Sequence, residues 1–539
     1  MVRPGKWRRG SRSRLVITNW RDESHPKSGG AETVCEELAR WFAGREWNVV
    51  LLTSASPELA STEERNGFTV RRRGGRYTVY LWTFVWLVVH RRSVRAVIDS
   101  QNGIPFFAPL AVGPRTPVLL LLHQIHRGLF HHYFGPAQAR VGQWLESTAT
   151  RSLYGDRAVV AVSPSTRTGA RRLIRLKGEI FVVPPGCHAV SAEAPGTRAR
   201  TARPRLVCIG RLVPQKRIDM LLEAMPALLR EFPDLDLHLL GDGPMRSDLE
   251  ATVERLALGS AVMVHGALEP EARDEVIRSA WLSVTASESE GWGPGVVEAN
   301  AQGVPVLAYR RPGLQDAIRH GDTGWLIDEG TPLAPEVAAL LRSLEDRAFA
   351  DQIGVRAQRW VARFTWEEMA QQVSRILLAE EGRLAHPRDE RRSRSDLSSV
   401  AMIPFDLIPE DVVLRFRPTD RMFVGSDGQV VLLRGTDTEH APDALRRAGL
   451  PDRVVRDPAV RITVARPADL VSPDASMDAT DGHDVVRSAE APGDSIRDDG
   501  PGGSGAAMSQ CGGPDRPGPE VAGVSPGAEV GTDALDEAL

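Results

Sequence analysis

The stretch Leu206-Val-Cys-Ile-Gly-Arg-Leu-Val-Pro-Gln-Lys-Arg-Ile-Asp219 decides the fold. Leu206–Ile209 is apolar without alternation, which is how a strand reads when both faces of a parallel sheet are covered. Gly210 and Arg211 follow it directly, and a helix begins near Asp219. The same pattern recurs downstream at Leu235–Leu240, Val262-Met-Val264, Leu282-Ser-Val284 and Val304-Pro-Val-Leu307, with helical stretches between. Pro226 lies inside the helix begun at Asp219 and predicts a kink or break there. Upstream, Leu15-Val-Ile-Thr-Asn19, Val49–Thr53, Ala96–Asp99, Val118–Leu122, Val159–Val162 and Ile180–Val183 form an earlier set of strands. Ala31–Ala43 carries Val34, Leu38, Trp41 and Phe42 at helical spacing. The polar stretch Ser191–Arg203 separates the two sets and reads as a linker. Strand–helix alternation in two halves predicts two doubly wound, Rossmann-like α/β domains, over residues 14–190 and 204–380.

A chain of 539 residues exceeds what one core organises. After the helical Trp366–Leu378 comes a charged segment around Arg388–Arg394. Residues 400–466 then predict a small α+β appendage, with strands at Val412–Phe416 and Val430–Leu433 and a turn at Ser426-Asp-Gly428. Residues 471–539 are rich in Gly, Pro, Ala and Asp, with too little apolar material for a core, and predict a disordered tail. Of the net charge of −3, that tail holds fourteen acidic and three basic residues, so residues 1–470 carry +8. A basic body suits anionic ligands or an anionic membrane surface as well as an ordinary solvated exterior; no nucleic-acid partner is expected. Cys35, Cys187, Cys208 and Cys511 have neither disulfide-framework nor zinc spacing, which fits a cytoplasmic chain. The basic N-terminus runs into a strand too short for a signal sequence. The apolar run Val79–Val89 is about half the ~20 residues that span a bilayer and reads as a buried or partly interfacial helix.

Two segments carry chemistry. Ser287-Glu-Ser-Glu-Gly-Trp-Gly-Pro-Gly-Val-Val-Glu-Ala299 places Glu290 and Glu298 on either side of a glycine-rich strand-to-helix turn. Both carboxylates then face one pocket, and the free N–H groups at the helix start favour phosphate. In the loop after Ile209, Arg211 and Lys216 can neutralise a diphosphate, the first by bidentate hydrogen bonds and the second as a point charge.

Together these segments resemble the retaining family 4 glycosyltransferases of the GT-B fold, over about residues 14–380. Ser28-Gly-Gly-Ala-Glu32 looks like that family's N-terminal glycine loop, and His123-Gln-Ile-His-Arg127 like its histidine-bearing loop on the acceptor side. Gly241-Asp-Gly-Pro244 and His265-Gly266 resemble its donor-domain turns, and Pro312–Ile318 with Gly321–Leu326 the segment after the glutamate motif. The resemblance implies two domains facing across a cleft and transfer of a sugar from a nucleotide-diphosphate sugar to an acceptor hydroxyl with retention of configuration. It implies catalytic roles for Glu290, His123, Arg211 and Lys216. Donor binding falls to Gly29, Gly30, Gly210, Arg211, Lys216, Gly266, Gly291, Trp292, Gly293 and Glu298, with Glu298 on the ribose. His126 and Arg127 are weaker acceptor-side candidates. The acceptor is a sugar, a lipid-linked sugar or a small molecule, with peripheral contact at the inner face of the membrane in the lipid-linked case.

No cofactor and no metal are expected. The single Asp-x-Asp of the donor half, Asp234-Leu-Asp236, leads straight into a strand. Two positions depart from the family pattern: Pro294 removes one potential phosphate donor, and Arg217 stands where a glycine is usual, a change expected to be tolerated. The alternatives are a nucleotide-sugar epimerase or phosphorylase on the same fold, or a non-catalytic sugar-nucleotide-binding protein. A dehydrogenase is disfavoured, because the first strand–loop–helix lacks G-x-G-x-x-G.

Overall fold

The computed structural model describes residues 13–187, 200–385 and 398–464, the last with short breaks at 410–413, 417–419, 425–427, 434, 435, 437, 439 and 458. The first sheet contains β1 (Arg14–Thr18), β2 (Asn48–Thr53), β3 (Thr62–Arg65), β4 (Phe68–Arg72), β5 (Val94–Asn102), β6 (Val118–Gln124), β7 (Ala158–Ala161) and β8 (Ile180–Val182). Their spatial order is β3-β4-β2-β1-β5-β6-β7-β8. All neighbours run parallel except the β3–β4 hairpin. That hairpin was not expected from strand-like apolar runs. Its turn is Asn66-Gly67, both at positive φ, the pair that matches strand twist in a two-residue turn.

Helices α1 (Gly30–Ala43), α2 (Thr78–His90), α3 (Ala108–Val112), α4 (Phe130–Tyr133), α5 (Pro136–Trp144), α6 (Thr150–Tyr154) and α7 (Pro164–Gly169) cover this sheet. A π-turn at Leu145–Ala149 joins α5 to α6, so Pro136–Tyr154 is one helix with a bulge. The apolar run Val79–Val89 is α2, half-buried: Val79, Trp86 and Leu87 go inward while Leu81, Val85 and Val89 stay exposed.

The second sheet, ordered β11-β10-β9-β12-β13-β14, is wholly parallel. Its strands are β9 (Arg205–Ile209), β10 (Asp236–Leu240), β11 (Val262–Gly266), β12 (Leu282–Thr285), β13 (Val306–Tyr309) and β14 (Gly324–Ile327). β13 starts two residues later than its apolar run suggests, because Pro305 has no N–H for the ladder. The helices here are α8 (Ile218–Glu231), α9 (Arg246–Arg255), α10 (Pro270–Ser279), α11 (Pro294–Ala301), α12 (Leu314–Ala317), α13 (Leu333–Leu344), α14 (Arg347–Val361) and α15 (Trp366–Ala385). The break expected at Pro226 does not occur: α8 runs through it. Losing one N–H and crowding the preceding turn costs ~3 kcal/mol, and Leu221, Leu222, Met225 and Leu228 on the buried face hold the helix down.

α15 runs past residue 380 and crosses back to the N-terminal domain. It packs on α1, β6 and β7, and Arg95 and Asp156 receive its Glu381 and Arg383. One apolar cluster therefore passes through both domains, from Leu38 and Phe42 on α1 through Val373, Ile376 and Leu377 on α15 to Val296 on α11. The appendage is an antiparallel sheet, β16-β17-β15-β18, of β15 (Ser399–Pro404), β16 (Arg421–Val424), β17 (Gly428–Leu433) and β18 (Arg461–Val464), with short helices at Ala441–Arg447 and Asp452–Val455. Of the expected strand Val412–Phe416, residues 412 and 413 lie outside the described residues and Leu414–Phe416 is irregular. Most of the linker, the charged segment 388–394, the turn residues 426 and 427, and the tail 471–539 also lie outside the described residues.

Leu377 is fully buried at this seam. Leu377→Ala is expected to lower the unfolding free energy by ~2–5 kcal/mol, as buried leucine truncations do, read from denaturant titration of the full chain.

Candidate active site

The C-terminal ends of β9 and β12 deliver the cations and the glutamates. Gly210 takes φ +144°, and a Cβ there would lie 3.1 Å from both Cε and Nζ of Lys216. Lys216, at the end of the 3-10 turn Pro214–Lys216, thus folds back over the glycine. Its Nζ donates to Glu290 Oε1 at 2.5 Å. Arg211 reaches the other way, across to the N-terminal domain: a Cβ on Gly29 would stand 3.8 Å from its Nε. Arg217, the residue in place of a glycine, sits at φ +48°, a conformation costing ~1–2 kcal/mol for a side-chain-bearing residue. Its guanidinium offsets this by donating to Ala286 O at 2.6 Å and to Glu329 at 2.7 Å.

α11 begins with Pro294 after Gly293 at φ +89°. Proline suits the first helical position because the N–H it lacks has no intrahelical partner anyway. Gly295, at the second helical position, is among the residues whose N–H has no intrahelical acceptor, while Val296 N–H bonds Gly293 O at 3.0 Å. Glu298, further along α11, is 3.5 Å from Arg273 of α10.

The two domains meet over these residues. A Cβ on Gly30 would be 3.2 Å from Pro294 Cγ, and one on Gly291 would be 2.2 Å from His123 O. Gln124 donates to Ser289 O at 3.2 Å, Thr166 Oγ1 to Gly291 O at 3.2 Å, and Ser165 N–H to Asp316 at 2.9 Å. Gly29, Gly30, Arg211 and Pro294 are therefore neighbours, as are Lys216 and Glu290.

Other sequence candidates are placed differently. The Trp292 indole is 5% exposed and packs edge-on against Phe364, 4.9 Å between ring centres, so its side chain is part of the core. The His123 ring turns inward, with Nε2 2.9 Å from Ser100 Oγ, which also donates to Asn19. Burial lowers its pKa to about 3, with nearby His126 adding to the effect, so the ring is neutral at ordinary pH. Gly266 lies against Arg246. Asp236 opens β10 and holds Arg205 by two 2.8 Å bonds, as a strand-entry residue does.

Three residues, Glu32, Arg273 and Glu146, escaped assignment from sequence. Glu32, inside the glycine-loop motif, accepts Gly29 N–H at 2.9 Å and lies 3.7 Å from the buried Arg21. This is the capping-box geometry, legible in principle from a Glu three residues after the cap. Arg273 pairs with Glu298 without any sequence signal. Glu146, on the π-turn, accepts His126 N–H at 2.5 Å, while its second oxygen is buried without a hydrogen bond. Burial raises its carboxyl to about 8. His126 itself is lowered to about 4, chiefly by burial and further by the positive charge of Arg211.

Residues 28–189 match Glycosyltransferase Family 4 and residues 192–360 match Glycosyl transferases group 1. A GDP-mannose-dependent alpha-(1-6)-phosphatidylinositol monomannoside mannosyltransferase of Mycolicibacterium smegmatis is 31% identical over 67% of this chain and 97% of its own. The chain belongs to the group 1 glycosyltransferases. A D-inositol 3-phosphate glycosyltransferase of Nocardia farcinica is 33% identical, over 40% of this chain and 53% of that relative's length. Sucrose-phosphate synthase from Thermosynechococcus elongatus superposes with TM-score 0.56 at 21% identity, covering 68% of this chain and 99% of that one. The fold is GT-B, and this glycosyltransferase moves a sugar from a nucleotide sugar to an acceptor.

Glu146 gives the glycosyltransferase a testable pH dependence. Its folded pKa lies above the unfolded value, so between about pH 4.5 and pH 8 the folded state binds the extra proton and stability falls as pH rises. Glu146→Gln keeps the acceptor for His126 N–H and removes the titration. Urea unfolding at pH 5 and pH 8.5 is expected to show the wild type losing a few kcal/mol across that window and the variant much less.

Proposed function

We propose that the enzyme transfers a hexosyl group from a nucleotide-diphosphate sugar to an acceptor hydroxyl with retention of anomeric configuration, without a metal ion. The observation that carries this is the placement of Arg211 and Lys216 on one loop, the first directed at Gly29 and the second bonded to Glu290. Breaking the glycosidic bond puts negative charge on the diphosphate, and donors fixed in advance around that charge lower the barrier most. Arg211 contributes a planar fork and Lys216 a mobile point charge. The amide of Gly295 and the dipole of α11 add to the same region. Glu298 takes the ribose hydroxyls, exchanging its long contact with Arg273 for them. Glu290 holds Lys216 until the donor arrives and then contacts the transferred sugar.

Retention follows from attack on the face the leaving group occupies, the diphosphate oxygen accepting the acceptor's proton. With His123 neutral and turned to Ser100, its ring is not a proton donor in this scheme; its carbonyl, against Gly291, shapes the sugar pocket. GDP-mannose is the first donor to test, because the M. smegmatis relative is GDP-mannose-dependent. Inositol-bearing, sugar and lipid-linked acceptors follow from the same comparisons. The enzyme acts in the cytoplasm, at the inner face of the membrane when its acceptor is lipid-linked.

Arg211→Ala and Lys216→Ala are each expected to lower kcat by ~10²-fold or more with smaller change in KM, the pattern for groups acting on developing charge. Glu298→Ala should weaken donor affinity by calorimetry; unchanged affinity removes its ribose role. Turnover is expected to persist in excess EDTA, and its loss would overturn the metal-free mechanism. Thermal-shift screening of GDP-, UDP- and ADP-sugars names the donor.

A further inference from the structure

We propose that the outer helix layer of the N-terminal domain is a docking surface for an anionic lipid bilayer. α2, α3, α6 and the turn Ala170–Ile174 pack through one apolar cluster onto the same face of the first sheet, opposite the face that α1 and α15 cover. The outside of this layer is unlike an ordinary surface. α2 has no charged residue from Thr78 to Val89. Its outward side chains Leu81, Val85, Val88 and Val89 form a stripe at helical spacing, with Leu81 65% and Val89 70% exposed. Leu110 on α3 is also exposed in this layer. A water-facing helix ordinarily carries polar residues on that side, and nothing among the described residues covers this one.

The charge around the stripe fits a bilayer. Across α2, β5 and α3, from Tyr77 to Arg115, four Arg stand against one acid, the buried Asp99, and one of the four, Arg95, is taken up by Glu381 of α15 on the opposite face. At the end of α2, Arg91, Arg92 and Arg115 line a surface cavity of ≈ 480 Å³ with Val112, Pro114 and Thr116. All three arginines are exposed, and none pairs with a carboxylate among the described residues. An apolar stripe flanked by unpaired cations inserts at the headgroup boundary while the cations meet lipid phosphates. A polynucleotide or free phosphate would use the cations and leave Leu81, Val85 and Val89 in water, so the bilayer accounts for both halves of the surface.

The other end of α2 adjoins the cleft. Tyr80 stacks on Phe106 at 4.6 Å, Val79 and Phe106 pack on Trp20, and Arg21 lies over Trp20 and next to Glu32 beneath the glycine loop. A bilayer on this face would present an acceptor's headgroup at the edge of the cleft. The inference deepens the membrane part of the proposed function and is separable from its chemistry, because vesicle binding and donor binding are measured independently.

The test is co-flotation of the full chain with vesicles of phosphatidylcholine alone and with phosphatidylglycerol at roughly a third of the lipid. Binding is expected to the anionic vesicles only and to weaken as salt rises. Each basic residue near such a surface strengthens adsorption about fivefold, so reversing Arg91, Arg92 and Arg115 to Glu should weaken it by roughly a hundredfold or more. Leu81→Ser with Val85→Ser should release the protein at salt concentrations where wild type stays bound. Both variants should keep nucleotide-sugar affinity by calorimetry, showing an intact fold and cleft. Equal binding to neutral vesicles, no binding to either, or wild-type binding by both variants overturns the proposal. So does a dimer in solution that Leu81→Ser abolishes, which would make the stripe a self-association face.

Discussion

The apolar seam along α15 sets the distance on which the site depends. Two wound sheets joined by a linker have no intrinsic separation. Here Val373, Ile376 and Leu377 of α15 lie in one cluster with α1 of the other domain, and that cluster continues to Val296 on α11. The glycine loop that starts α1 is thereby pressed toward the start of α11, until Gly30 meets Pro294 and Arg211 meets Gly29. The proposed diphosphate site, built from one cation loop and one helix start on one domain with a glycine loop on the other, needs that registration to within about an ångström. The seam is non-directional burial, strong enough to bring the domains together. The few polar bonds over the top, such as Gln124 to Ser289, supply the direction.

Within the cleft, two cations already stand against carboxylates. Lys216 is bonded to Glu290, and Arg273 lies near Glu298. Unpaired charges brought out of water are costly, so in the proposed diphosphate site Lys216 and Arg273 wait on exchangeable carboxylates. In the proposed reaction, donor arrival is then a swap of partners in place of a fresh desolvation. The carboxylates released are the ones suited to sugar hydroxyls.

The His123–Arg127 loop, the acceptor side in the proposed function, rests on buried polar groups in place of surface ones. Asn19, Ser100 and the His123 ring form a hydrogen-bonded row beneath the loop, and Glu146 holds the backbone of His126 from a π-turn. π-turns concentrate where a helix must aim a side chain off its regular path. Here the carboxylate aimed inward fixes the loop at His126.

Much of this was legible in the amino-acid order. Continuous apolar strands report two-faced burial, so both parallel sheets, their helices, the Arg/Lys loop and the glutamate turn could be read along the chain. The Asn66-Gly67 hairpin was present as a signal and passed over, because its strands alternate polar residues. What the order did not contain was partnership. That Trp292 belongs to the core, that the His123 ring faces Ser100, that Arg273 answers Glu298 and that α8 survives Pro226 each depend on groups tens or hundreds of residues away. Local periodicity determines which elements form and which faces are apolar. Tertiary packing alone decided which of two apolar or titratable neighbours turns inward, because that choice is set by the cost of burying a polar group without a partner. Among the described residues it also left the outer side of α2 uncovered, which its even apolar sequence had concealed.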